Sequence, residues 1–164
     1  MRRWRQSKSI KFYLGLQVDA MSDNFGRGLR TLGQKPEKNL CLFADTRMEW
    51  LVAAQASFRQ SFPVVTIYTN LGEEAVVHGL VETGVELVIT SHELLPRFKK
   101  ILAGGTDSVK TIVYMENPIH RTPITGFREG VTLISFWDVV SRYIAQSRNP
   151  INEHPNPIPE GGRL

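Results

Sequence analysis

The chain has 164 residues, 41% of them hydrophobic and 22% charged, which predicts one globular domain and excludes fibrous or largely disordered classes. Its formal net charge of +4 is local, because residues 1–11 contain five bases and no acid, whereas the rest contains 15 bases and 16 acids. A basic terminal segment beside a nearly neutral body is weaker support for nucleic-acid binding than a basic folded face, so we expect no nucleic-acid partner and interpret residues 1–11 as a solvated tail.

The amino-terminal stretch MRRWRQSKSIKFYLGLQV has a basic start and an apolar continuation, as targeting peptides do. Its apolar part is interrupted by Gly15, Gln17 and Asp19, so we interpret it as neither a signal nor a transit peptide. No segment approaches the ~20 apolar residues that span a bilayer. Cys41 lies in an apolar run and is interpreted as a buried, inert thiol rather than a nucleophile. We therefore expect an intracellular, soluble chain without a transmembrane segment.

Hydrophobic spacing and turn residues predict an alternation of strands and helices along the chain. In chain order the predicted elements are a helix at 21–32, a strand at 39–44, a helix at about 47–60, a strand at 63–68, a helix at 73–83, a strand at 85–90, a helix at 92–103, strands at 110–115 and 131–135, and a helix from 136. Alternation of this kind is typical of parallel βαβ units. The predicted fold class is therefore α/β, Rossmann-like, with a mostly parallel sheet flanked by helices.

Helix boundaries in this pattern follow from capping residues. Thr46 and Glu49 match the Thr-x-x-Glu capping box, which predicts the start of the second helix. Ser91 is the expected N-cap of the fourth helix, and the glycines at 84 and 104–105 are expected to end the third and fourth helices. The organisation predicted from these limits is an atypical basic segment at 1–20, an α/β domain at 21–146 and a Pro-rich linker tail at 147–164.

Glycine-rich stretches do not match a phosphate-binding loop. The stretch at 103–108 follows a helix, whereas such a loop lies between a strand and a helix, so we interpret it as a helix-end turn. Gly26, Gly28 and Gly33 lack the dinucleotide spacing and a preceding strand, and we interpret them as sites of close helix packing or capping.

Histidines and aromatic residues give only isolated candidates. His78 and Glu82 are one helical turn apart and are interpreted as an exposed pair, with metal binding or proton transfer as the alternative. His92 and Glu93 lie at a strand-to-helix junction, where doubly wound sheets bind ligands, but local capping or solvation explains them equally well. The remaining candidates are interpreted as unpartnered loop residues, His120 and His154, and as core residues, Trp50, Phe58 and Trp137. No residue is therefore assigned a catalytic, cofactor-binding or metal-binding role.

Three segments, LCLFADTRMEWLVAAQASF, SFPVVTIYTNLGEEAVVHGL and ETGVELVITS, resemble in order and spacing the long-chain fatty acid-CoA ligases of the adenylate-forming, AMP-binding superfamily. The resemblance covers roughly residues 25–146 and is strongest at 40–91. It implies part of the first α/β lobe of the amino-terminal domain of an enzyme that uses ATP and magnesium to form an acyl-adenylate, then transfers the acyl group of a long-chain fatty acid to coenzyme A.

In such enzymes the phosphate-binding loop ends in Pro-Lys-Gly and normally follows a proline-rich connection like residues 149–162. The resemblance therefore implies a fragment in which ATP, Mg²⁺ and coenzyme A have no good site, and an enzyme associated with the endoplasmic reticulum, the mitochondrial outer membrane or the peroxisome. Unpaired sheet edges of a partial lobe favour pairing with another chain, including a second copy of this one. The alternative is a non-catalytic α/β interaction module that binds a partner through such an edge.

Overall fold

The computed structural model describes residues 15–117 and 125–146, which form a parallel five-stranded sheet between two layers of helices. The strands are β1 (Leu40–Phe43), β2 (Val64–Thr66), β3 (Leu87–Ser91), β4 (Thr111–Met115) and β5 (Thr132–Ser135), in the spatial order β2-β1-β3-β4-β5. The helices are α1 (Gly15–Thr31), α2 (Met48–Arg59), α3 (Glu73–Thr83), α4 (Leu95–Ala103) and α5 (Phe136–Gln146), with a single 3-10 turn at His92–Leu94 before α4. This architecture confirms the predicted α/β class with a mostly parallel sheet.

Alternating side chains of the central strands fill two separate cores. Leu40 and Leu42 of β1 belong to the core under α1, α2 and α5, whereas Cys41 and Phe43 belong to the core under α3 and α4. Successive residues of a strand point to opposite faces, so a strand covered on both sides must be apolar throughout. All four residues of β1 are accordingly buried, which explains its unbroken apolar sequence.

Helix α1 begins at Gly15, six residues before the predicted start at Met21. The added residues include Leu16, Val18 and Ala20, and Val18 packs against the core one turn before Met21. They are held by contacts with α2, in which the Arg59 guanidinium donates hydrogen bonds to the carbonyl and carboxylate of Asp19. The predicted start was therefore too late, because Val18 continues the core-facing side of the helix.

The glycines of α1 confirm the expected close packing. A Cβ on Gly28 would lie 2.2 Å from the backbone carbonyl oxygen of Val139 in α5, and one on Gly26 would lie 2.7 Å from Gln60. Gly33 follows the helix with φ of +94°, a conformation that side chains rarely adopt. The ring of Phe25, stacked 4.3 Å from that of Phe136, fills the interface that this close approach creates.

The predicted capping box at α2 is wrong. The N-cap is Arg47 rather than Thr46, and no side chain caps the helix. The carboxylate of Glu49 accepts two hydrogen bonds from the Arg47 guanidinium, at 2.8 and 2.9 Å. A charged donor pair of this geometry is stronger than a bond to one backbone N–H, so Glu49 is not available to complete the box.

The expected cap at Ser91 is also wrong. Ser91 ends β3, makes no side-chain cap, and is followed by the 3-10 turn, so α4 starts only at Leu95. Pro96 then occupies the first turn of α4, where its missing N–H costs no helical hydrogen bond. The ends of α3 and α4 agree with expectation, because Gly84 adopts the left-handed conformation and Gly104 is the C-cap.

Phe58 corrects the interpretation of the helical aromatic residues as core. Its side chain is 71% exposed near the end of α2, whereas Trp50 and Trp137 are partly buried against the core. Helical spacing could not place Phe58, because the outward face of α2 also carries apolar residues.

The proposed linker at 147–164 and the first 14 residues of the basic segment lie outside the described residues, and the domain limits stay predictions.

Candidate functional site

The carboxyl edge of the sheet is the place where this topology favours a ligand. The chain leaves β1 towards β2 on one side and leaves β3 towards β4 on the other, although β1 and β3 are neighbours. A crevice opens beyond the carboxyl ends of two strands that diverge in this way. We call the residues beyond the ends of β1 to β4 the carboxyl-edge cluster: Asp45, Arg47, Thr69, His92, Glu93, Glu116 and Asn117.

Arg47 crosses this crevice and is bonded on both sides. Its guanidinium donates to both carboxylate oxygens of Glu49, and its Nη2 also donates to the backbone carbonyl of Glu116 at 3.1 Å. Because β3 lies between β1 and β4, the side chain spans the carboxyl end of β3. Glu49 is buried and the Arg47 side chain is 29% exposed, so the pair is only partly removed from water. We call Arg47, Glu49 and the Glu116 carbonyl the Arg47 clamp.

The loop after β2 is fixed by a second arginine. Arg97 donates to the backbone carbonyls of Thr69 and Leu71, and its guanidinium carbon lies 5.6 Å from the centroid of the Phe43 ring. The Thr69 hydroxyl donates to Asp45 Oδ1 at 2.6 Å. Arg97 and the Thr69–Asp45 hydrogen bond therefore hold the loop after β2 against the end of β1.

His92 and Glu93, the adjacent candidates from the sequence, diverge in the structure. His92 is buried, 6% exposed, with its ring centroid 5.8 Å from that of Tyr114, and its Nδ1 has no hydrogen-bond partner within the described part of the chain. Glu93 is exposed and accepts a hydrogen bond from Asn117. The two side chains consequently do not form an acid–base pair.

Two titratable groups of the sheet are held in their neutral forms. Burial raises the pKa of the Cys41 thiol to about 12, which confirms the predicted inert cysteine. Burial also raises the pKa of the Tyr114 hydroxyl, and the carboxylates of Glu116 and Asp138 raise it further. Neither group is a nucleophile at neutral pH.

His78 and Glu82 form the exposed pair expected from their spacing. Their Nε2 and Oε2 atoms are 3.3 Å apart, and the side chains are 79% and 70% exposed. His78 also lines an open groove of about 460 Å³ between α3 and α4. Among residues 15–117 and 125–146, no group of three or more His, Cys, Asp or Glu side chains could hold a metal ion. His120 and His154 lie outside these ranges.

A smaller cavity of about 280 Å³ lies at the opposite, amino edge of the sheet. Its lining residues are Gly33, Gln34, Lys35, Lys38, Asn39, Gly84 and Glu86. Asn39 donates to the carbonyl of Thr83 at the end of α3, and the Lys110 ammonium, 2.8 Å from Glu86, holds the pKa of that carboxyl below its usual range. Lys35 and Lys38 follow the carboxyl end of α1, where positive charge is favoured by the helix dipole. This cavity is therefore not assigned a ligand.

The described residues do not fit the phosphates of a nucleotide. No glycine occurs between β1 and α2, and the Gly104–Gly105 turn ends a helix, as predicted. The guanidinium groups of Arg47 and Arg97 are bonded to Glu49 and to backbone carbonyls. Arg47 was not among the residues predicted from the sequence, although the Arg-x-Glu pattern after a buried strand is a signal for such a pair. No helix in the described part of the chain is long and apolar enough to cross a membrane.

The AMP-binding enzyme family model matches residues 16–153 of the chain. Long chain acyl-CoA synthetase 8 of Arabidopsis thaliana is 42% identical over 93 residues, which are 57% of this chain and 13% of that protein. Fatty acyl-CoA synthetase B of Dictyostelium discoideum is 31% identical over 135 residues, which are 82% of this chain and 20% of that protein. The chain thus spans a fifth or less of the length of these two relatives.

A solved structure of similar fold is the natural red-emitting luciferase of Phrixothrix hirtus. It superposes with a TM-score of 0.66 and 18% sequence identity, covering 86% of this chain and 25% of the luciferase. At this identity the likeness concerns the fold. It confirms the arrangement of the parallel sheet and its two helical layers.

Proposed function

The chain belongs to the AMP-binding enzyme family, and we propose that it forms part of the amino-terminal domain of a long-chain fatty acid-CoA ligase. The observation that carries this proposal is its sequence identity of 31–42% to proteins named as fatty acyl-CoA synthetases. The proposed reaction joins a long-chain fatty acid to coenzyme A through an acyl-adenylate, at the expense of ATP and with Mg²⁺.

The role proposed for this segment is structural support. Adenylation requires donors fixed around the phosphates of ATP. The arginines at the carboxyl edge are instead bonded to Glu49 and to the carbonyls of residues 69, 71 and 116. We therefore propose that this lobe positions other parts of a longer polypeptide, which supply the groups that touch ATP, fatty acid and coenzyme A.

The experiment that tests the activity begins with the transcript. Long-read sequencing across the codon for Leu164 defines the protein in which this segment occurs, and that protein is then expressed and supplied with oleate, ATP, Mg²⁺ and coenzyme A. Formation of oleoyl-CoA, measured by mass spectrometry and absent without ATP, is expected. A folded product that forms no acyl-adenylate from fatty acids of any chain length would contradict the proposal.

The 164-residue chain provides a separate test of the proposed division of roles. We expect no ATP binding in calorimetry, because the described residues offer no free set of phosphate donors. Micromolar binding of ATP to this chain would show that the phosphate site lies within it. The organelle stays a prediction from the resemblance, and imaging of the tagged protein with markers for the endoplasmic reticulum, mitochondria and peroxisomes tests it.

A further inference from the structure

Helix α2 carries no charge on its outward face. Between Glu49, which is buried, and Arg59, the last residue of the helix, the sequence contains no acid and no base. The other four described α-helices all expose charged residues, for example Arg30 in α1, Glu82 in α3, Lys100 in α4 and Arg142 in α5. A helix that is uncharged on every side is typical of one that is covered on every side.

Four residues at heptad spacing form one stripe along this outward face. Leu51 and Phe58 are 46% and 71% exposed, and Met48 and Gln55, which alternate with them, are half-buried. Spacings of three, four and three residues keep the four side chains on one side of the helix. Leu51 and Phe58 are seven residues apart, which is about 10 Å along the helix axis. We call Met48, Leu51, Gln55 and Phe58 the α2 stripe.

The opposite side of α2 is packed and fixes the direction of the stripe. The residues of α2 that are fully buried in the core are Val52, Ala53 and Ala56. At the end of the helix, the Arg59 guanidinium donates hydrogen bonds to the carbonyl and carboxylate of Asp19 in α1. Rotating α2 to hide Leu51 and Phe58 would expose the buried residues and break these bonds. The stripe therefore faces outward in the folded chain.

We propose that the α2 stripe is the contact surface for a helix of the same, longer polypeptide, an inference that rests on the proposed function. A narrow apolar stripe with heptad spacing is the pattern by which one helix packs along another. The facing side of that helix is expected to be apolar and uncharged. A charge placed against Leu51 or Phe58 would lose its hydration without gaining a counter-ion.

The area of the stripe favours a partner within the same polypeptide over a second copy. Leu51 and Phe58 together expose on the order of 200 Å², whereas a stable complex of separate chains buries about 800 Å² on each partner. A tethered helix needs less surface, because the tether holds it at a high effective concentration. The chain spans 13% and 20% of the Arabidopsis and Dictyostelium relatives, so in a protein of that length most residues available to cover the stripe lie outside this segment.

Thiol labelling tests the proposal by comparing the 164-residue chain with the longer protein defined by transcript sequencing. L51C and F58C place a thiol on the stripe, and V81C is the matched control on α3, where Val81 is 54% exposed beside Glu82. Each variant reacts with N-ethylmaleimide at neutral pH, and mass spectrometry of peptides measures the rate at each thiol. Cys41 reports on folding, because its buried thiol stays unlabelled while the chain is folded.

We expect similar labelling rates for the three variants of the 164-residue chain. In the longer protein, labelling of L51C and F58C should slow at least about a hundredfold, because it requires local opening of a packed interface, whereas labelling of V81C should change less than about threefold. Hydroxyl-radical footprinting of the wild type needs no substitution. In that measurement Phe58 should be oxidised in the 164-residue chain and protected in the longer protein.

Equal labelling of the stripe in the two proteins would overturn the proposal, and so would equal protection of V81C. Labelling of the stripe that slows as the concentration of the 164-residue chain rises would also overturn it, in favour of a second copy. A reading frame that ends at Leu164 would overturn this proposal and the ligase proposal together. No readout uses ATP, fatty acid or coenzyme A, so a protected stripe in a protein that forms no oleoyl-CoA would contradict the ligase proposal alone.

Discussion

Replacing Arg47 by methionine should destabilise the fold much more than its position at a loop–helix junction suggests. Methionine keeps the apolar stem but removes three hydrogen bonds, two to Glu49 and one to the Glu116 carbonyl. The Glu49 side chain is 11% exposed and would retain a carboxylate without its cation. Breaking a buried pair costs about 3–5 kcal/mol, and because Arg47 keeps 29% of its exposure we expect about 3 kcal/mol.

A double-mutant cycle in urea isolates this interaction. The free energies of unfolding of the wild type and of R47M, E49Q and R47M/E49Q are measured by urea titration at 25 °C. The Arg47–Glu49 pair should show a coupling free energy of about 2 kcal/mol. The Lys110–Glu86 pair is the matched control, because its 2.8 Å distance is the same but its side chains are 66% and 51% exposed. We expect a coupling below about 1 kcal/mol for K110M and E86Q. Additive effects of R47M and E49Q would refute the interpretation of the Arg47 clamp as a stabilising pair.

Three further outcomes are expected. The folded-state pKa of Cys41, about 12, lies above the reference value of 9.0, so its contribution to the free energy of unfolding is complete below pH 9 and falls by about 1.4 kcal/mol per pH unit up to pH 12. Urea titrations at several pH values should show that C41V lacks this fall. Equal slopes of unfolding free energy against pH in C41V and the wild type would contradict the prediction. G28A should cost about 3 kcal/mol, since its Cβ meets the Val139 carbonyl, and an unchanged Tm would show that the helices separate freely. G84A, with open space but φ of +61°, should cost about 1 kcal/mol by the same measurement, and a cost equal to that of G28A would contradict the distinction.

The fold could be predicted because burial on both faces leaves a strong sequence signal. A strand such as β1 must be apolar at every position, and glycine is favoured where α3 ends in the left-handed conformation at Gly84. The early start of α1 was missed although Val18 extends the core-facing side by one turn, and the distant pair of Asp19 and Arg59 gives no local signal. Local periodicity reports contact with the core and carries no signal for a contact between polar side chains.

The same limit explains the wrong capping box. Thr46 and Glu49 satisfy the local pattern, but the pattern takes no account of a competing cation at position 47. The Arg47 guanidinium offers Glu49 two charged donors and bonds a carbonyl 69 residues further along the chain. A prediction from neighbouring residues could not weigh this bond, because it depends on β4 lying two strands away from β1.

The glycine-free junction after β1 and the Arg47 clamp have one physical explanation. Glycines at such a junction allow a phosphate to approach the backbone N–H groups at the start of a helix. Here the Arg47 guanidinium is bonded to the carboxylate of Glu49, and a phosphate would have to compete with Glu49 for the same cation. Giving up charge-assisted bonds to a buried carboxylate is costly. The protein's own ion pair therefore disfavours a phosphate at this junction, in agreement with the proposed role of this lobe as structural support.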